Sequence, residues 1–219
     1  MTSKLYVGNS QATPSIVVEK QVPVSMPYSI QREIDANGKL VQNSSIIDLT
    51  GVNSIGDYAL AYIYANNSNF VGAIDLTKIL EVSGDYGCCY MFEGCTNITS
   101  VDLSSLTTIS GTHGCNYMFE GCTNITSVDL SSLAMIPADN ACSRMFTKCT
   151  SLKQIYFPSL TSNSFGSFTN QFSSLLFGIK QCTVHFPINL QSVIGGWDDV
   201  VRGFSGTSTT VLFDLPATE

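Results

Sequence analysis

Charged side chains are scarce: Asp, Glu, Lys and Arg together make up 12% of the 219 residues, roughly half the usual share. Ten basic residues against seventeen acidic ones leave a net charge of −7. Clustered Lys and Arg are what release counterions from phosphates, so nucleic acid is excluded as a partner. Histidine is nearly absent too, with two in the chain. His113 stands among glycines and His185 at the outward position of a strand, and no motif sets an acid or nucleophile beside either. No P-loop, GxGxxG, GxSxG or HExxH is present. No enzyme activity, catalytic residue or cofactor is therefore expected. Long apolar runs are missing as well: nothing approaches the ~18 residues of a spanning helix. The opening Met1, Thr2, Ser3 and Lys4 lack the apolar core of a secretory signal, so the chain reads as soluble and without a membrane span. Either it is used without the general export route or a signal has been removed.

What is there is a repeat. Residues 88–114 read CCYMFEGCTNITSVDLSSLTTISGTHG and residues 115–141 read CNYMFEGCTNITSVDLSSLAMIPADNA. A third copy at 142–168 keeps the apolar positions, and an earlier one at 61–87 carries Ile74 and Leu76 where Val101 and Leu103 stand later. Half a unit precedes it, with Ile47, Leu49, Val52 and Ile55. A fixed period sets the architecture before any local signal does. In one unit Ile98, Val101, Leu103, Leu106 and Ile109 follow the spacing LxxLxLxxLxxI. Ser100 to Ser104 alternates polar and apolar, the mark of a half-buried strand with Val101 and Leu103 inward and Asp102 outward. Upstream, Tyr90, Met91, Phe92 and Cys95 follow helical spacing, and Gly94 suits the left-handed end of a short helix. One unit is thus a short helical turn plus a strand. No unit can bury its apolar face alone, so the units must stack, with the parallel strands on a concave side because the arms need more room.

The eight cysteines fall on the same period. Cys88, Cys115 and Cys142 are spaced 27 apart, as are Cys95, Cys122 and Cys149. Positions fixed by a repeat serve packing, so buried thiols are the expected state, with disulfides the alternative. A metal site lacks the short CxxC pair or His cluster it needs.

Three segments follow. Residues 1–45 form an N-terminal β cap, with Asn37-Gly38 as a hairpin turn. Residues 46–186 form the solenoid of 27-residue units. Residues 187–219 form a C-terminal helix–strand cap: a helix from Asn189 with Leu190, Val193, Ile194, Trp197, Val201 and Phe204 on one face, then TTVLFDL from Thr209 as a closing strand. Trp197 is expected to plug the end of the core.

The pattern MFEGCTNITSVDLSSL resembles the leucine-rich repeats of the BspA type, bacterial and phage-associated units in which an aromatic-x-Gly-Cys turn precedes an LxxLxL strand. The likeness covers about two thirds of the chain. It implies a right-handed α/β solenoid with a parallel concave sheet, short helical turns on the convex side and caps at both ends. One departure is that Ser104-Ser105 replaces the usual Asn or Cys after the strand, so the loop ladder must be bonded differently, with Cys95, Cys122 and Cys149 in the small buried role. The resemblance also implies a non-enzymatic module, adhesin-like or receptor-binding, which recognises a protein or glycan ligand and is placed outside the cell, on its surface or on a virion. The opening KLYVGNSQATPSIVVEKQVP resembles segments of phage-tail proteins, and a structural accessory or spacer of such a tail is the alternative. The sequence is silent on oligomeric state, and a monomer is carried as the expectation.

The candidate ligand site is the outward column Asp48, Asp75, Asp102 and Asp129, extended by Tyr156 and His185. Carboxylates ~5 Å apart repel by roughly 1 kcal/mol in water and by several at an effective dielectric near 20. Thr77, Ser100, Ser104, Ser127 and Ser131 flank them with hydroxyls. The functional reading is a strip for a cationic group, a calcium ion or a sugar. The structural one is that the aspartates keep the sheet soluble. A second row, Tyr90, Tyr117 and Arg144 with Glu93, Glu120 and Thr147, is either a contact surface or packing between arms.

Overall fold

The computed structural model describes residues 54–164, 168–192 and 209–217, and there the chain winds into a parallel-strand solenoid of about five coils. The N-terminal cap, Asp48, the half-unit residues before Ile55 and most of the expected C-terminal helix, Trp197 included, lie outside the described residues.

The alternating segment of each unit is a strand: β1 (Gly72–Asp75), β3 (Ile98–Asp102) and β5 (Ser127–Asp129) pair in parallel, with Val101 opposite Ile74 and Val128. Farther along the stack, β6 (Gln154–Tyr156), β7 (Cys182–Pro187) and β8 (Thr209–Leu215) form a second parallel sheet. The closing strand expected from TTVLFDL is thus present. A further short ladder follows the first sheet in each coil. There β2 (Glu81–Val82) pairs with β4 (Thr108–Ile109), and single bridges from Ile55 to Val82 and from Thr108 to Met135 extend it. Its residues are the LxxI tail of the repeat, whose β-branched Thr108 and Ile109 suit a pleated surface.

The arms depart from expectation. Where a short helical turn is predicted, the backbone forms a ribbon of tight turns. Gly87, Cys89, Met91, Glu93 and Cys95 donate their N–H groups three residues back within the coil, while Tyr86, Cys88, Tyr90, Phe92 and Gly94 donate to carbonyls of the next coil. Every fourth residue is left-handed: Tyr86, Tyr90 and Gly94 in one coil, His113, Tyr117 and Gly121 in the next, Asn140, Arg144 and Lys148 after that. Each such residue turns an N–H out of its own coil. A non-glycine pays roughly 1–2 kcal/mol for that conformation, and the stacked neighbour returns a hydrogen bond worth about 0.5–1.5 kcal/mol net. Among the described residues helix is confined to α1 (Phe168–Gln171) and a 3-10 turn at Ile188–Ser192. The latter stands where the helix from Asn189 was expected to begin.

The core is a set of columns running through the stack. Phe92, Phe119 and Phe146 are fully buried and stack at 5.6 and 5.7 Å between ring centres. Leu103, Leu130 and Phe157 form another such column, as do Met91, Met118 and Met145. All eight cysteines are free and buried. The thiols of Cys95, Cys122 and Cys149 donate to the carbonyls of Tyr64, Phe92 and Phe119 at 3.0–3.1 Å. This is the small buried role expected of them.

Candidate functional site

The register of β1, β3 and β5 sets Asp75, Asp102 and Asp129 directly opposite one another. All three are exposed, and one oxygen of each closes a local turn at the strand's end. It accepts the N–H of Thr77, Ser104 or Ser131, two residues on, at 2.9 Å in every case. The Thr77 hydroxyl donates to the same Asp75 oxygen at 2.7 Å. These two bonds, the hydroxyl one first, hold the Asp75 carboxyl below its ordinary range. A carboxylate that stops a strand in this way has a structural task, one distinct from keeping the sheet soluble. Of the flanking hydroxyls only that of Thr77 reaches a column carboxylate; Ser104 and Ser131 supply their backbone amides instead. The other oxygen of each carboxylate has no partner among the described residues.

A groove of about 640 Å³ opens over this face, lined among others by Asp75, Ser100, Asp102, Ser127, Asp129 and Tyr156. Asp75, Asp102, Asp129 and Tyr156 of the predicted column therefore share one surface, His185 is buried and does not line the groove, and Asp48 lies outside the described residues. Tyr156 closes the groove's far end, 41% exposed, with its hydroxyl donating to Gln154 at 2.8 Å. Its ring stacks on His185 at 4.3 Å.

Sequence reasoning missed the partner of His185. The side chain is buried, and its Nδ1 lies 2.9 Å from both carboxylate oxygens of Asp214 on β8. Asp214 is 29 residues away, one coil further on, so no local motif could show the pair. Nε2 is buried and has no hydrogen-bond partner among the described residues. The pair fastens β8 to β7 and presents no base to solvent.

The tyrosine row packs between arms. Tyr62, Tyr90 and Tyr117 stack at 4.6 and 4.5 Å, and the guanidinium of Arg144 lies 5.4 Å from the centre of the Tyr117 ring. A second stack, Tyr58, Tyr86 and His113, runs beside it at 5.1 and 4.8 Å. It places His113 in a structural role. The signal for this row was the same 27- or 28-residue spacing, broken by the change from Tyr to His. Glu93 and Glu120 recur below the first stack, and Glu120 accepts Lys148 Nζ at 2.9 Å.

Among the described residues no three His, Cys, Asp or Glu side chains gather as a metal would need, and no helix is long and apolar enough to cross a membrane. In comparison with known proteins, the family described as "BspA type Leucine rich repeat region" matches residues 53–184 in six copies. No curated protein and no solved structure matches the chain.

Proposed function

Because the chain belongs to the BspA-type leucine-rich repeat family, whose repeats suggest a protein-binding module, we propose that it is an adhesin-like recognition module presented outside the cell or on a virion. Its partner is a protein that offers Lys or Arg side chains to the groove. The observation that carries this reading is the column Asp75, Asp102 and Asp129, each with one oxygen not spent on the fold, lying in a groove that ends on exposed Tyr156. Cations spaced at about 5 Å, as on an extended basic segment crossing the strands, meet one carboxylate per coil. Serine walls supply hydrogen bonds to backbone or sugar hydroxyls, and Tyr156 supplies apolar area at low entropic cost.

The test is a protein and glycan binding array, run with and without calcium, on the wild type and on Asp75→Asn/Asp102→Asn/Asp129→Asn. Asparagine keeps the side-chain oxygen that closes each turn, so the triple variant remains folded. Loss of three desolvated charge contacts weakens binding by about 10²-fold or more. The groove reading fails if the variant binds every wild-type ligand equally well; a ligand that needs calcium would redirect it from protein cations to a bridging ion.

A further inference from the structure

The near-verbatim repeats provide their own baseline for what each surface position carries, and charge departs from that baseline in one direction. From 54 to 139 there are nine carboxylates and one lysine; from 140 to 192 there are four cations and no carboxylate, and on β8 the carboxylate of Asp214 is taken up by His185. In the fourth coil Arg144 replaces the tyrosines of the stack, Lys148 replaces Gly94 and Gly121, and Lys153 replaces Thr99 and Thr126. In the fifth, Lys180 stands where Thr96, Thr123 and Thr150 stand. The alignment is fixed because Lys148 bonds the Phe177 carbonyl as Gly94 bonds that of Glu120, which sets left-handed Gly178 above Lys148. Meanwhile Thr147 stands at the glutamate position and Tyr156 at the aspartate position. Lys148 keeps its place at φ 60, a conformation that suits glycine.

Lys148, Lys153 and Lys180 lie on one rim, where the arms of the fourth and fifth coils turn into β6 and β7. All are exposed, and Lys153 and Lys180 form no ion pair among the described residues. A uniformly anionic polymer is a poor occupant. Coils are only about 4.8 Å apart, so within two coils of the rim, close to one Debye length at physiological salt, it would meet the acidic half. A bipolar partner fits better, and residues 54–192 of this chain have that polarity.

We propose that two copies pair antiparallel about a two-fold axis, the lysine rim of each set against the acidic face of coils one to three of the other. Such an interface is isologous: each copy offers both poles, and the pair closes without forming a filament. The arrangement rests on the groove reading only in taking Asp75, Asp102 and Asp129 as the acidic surface that receives the rim.

Sedimentation velocity of the full chain over a concentration series tests it, at about 0.05 M and about 0.5 M salt, since screening lengths of roughly 14 and 4 Å separate the two regimes. The expected result is a concentration-dependent dimer at low salt that dissociates at high salt. Lys153→Glu/Lys180→Glu, at two exposed sites outside the core, remains folded by circular dichroism and is a monomer throughout. A chain that stays monomeric at low salt overturns the proposal, as does self-association that neither salt nor the lysine variant changes. Binding of the low-salt monomer to anionic phosphatidylglycerol vesicles would assign the rim to a lipid surface and equally overturn it. Should the groove reading alone fail, the triple Asn variant still loses the dimer while array ligands are unaffected. Should the dimer alone fail, the lysine variant and the wild type bind those ligands alike.

Discussion

Gly84 and Gly111 stand where successive coils come closest. A Cβ on Gly84 would fall on the backbone of Gly56, and one on Gly111 on the carbonyl of Gly84. Gly121 differs: its nearest neighbour would be an ordinary 3.7 Å from an added Cβ, and the residue is glycine only because its φ is +73. Alanine at Gly121 is therefore expected to cost about 1 kcal/mol, whereas alanine at Gly111 costs more than about 3 kcal/mol or prevents folding, since rigid backbone must move. Urea denaturation of the two variants checks the order, and equal costs would contradict the close approach. At this scale the sequence was legible where a residue's role is packing: Val101, Leu103 and the cysteines are all buried as their spacing demands. It was less legible where one residue has two tasks. The motif Asp-Leu-Ser, repeated at Asp102 and Asp129, contains its own strand-ending turn, which the alternation of the strand hides behind the charge of an outward aspartate. Gly111 lies in a loop, where nothing local signals a neighbour 27 residues away.

The arms show how a correct periodicity can name the wrong element. Cys88, Met91, Phe92 and Cys95 are buried at i, i+3, i+4 and i+7, the stripe of an amphipathic helix. The turn ribbon repeats every four residues, close to the ~3.6 of a helix, and so buries the same residues. What separates the two is the partner of each second N–H, which lies in another coil and is invisible to local pattern. The tyrosines at left-handed positions carried a faint signal, because their stacked rings, worth about 0.5–1.5 kcal/mol per pair, repay a conformation they otherwise avoid. The thiol columns buried by these arms have a measurable consequence. Burial pushes the Cys95 thiol up to about 11 and those of Cys89 and Cys182 up to about 12. An unfolded cysteine loses its proton near ~8.5, so the folded chain holds protons that the unfolded chain has released. Stability is thus full below that pH and falls as pH rises through 11 to 12, each unit of difference contributing about 1.4 kcal/mol per thiol. Denaturant midpoints taken from pH 7 to 11 should decline from about pH 9, and iodoacetamide at pH 8 should label no cysteine until the chain is unfolded. Rapid labelling of the native chain would mean the columns are open.

For the whole molecule, the period was legible and the details of closure were not. Near-identity of 88–114 and 115–141 sufficed to stack the units, place one sheet and set the aspartates in a line, because a ladder of Val101 and Val128 can form in only one register without turning the core outward. The second strand ladder, the His185–Asp214 clasp and the polarity of charge along the stack all depend on comparing coils in space. Adjacent coils lie in parallel register over a shared interior, with the arms bonded between coils and not wound into helices. Nuclear Overhauser contacts in a uniformly labelled chain test this most directly. Cross-peaks are expected between Val101 and Val128 and between the rings of Phe92 and Phe119, with no helical i to i+4 amide pattern across 86–94. Absence of contacts between residues 27 apart, or a continuous helix in the arms, would contradict it.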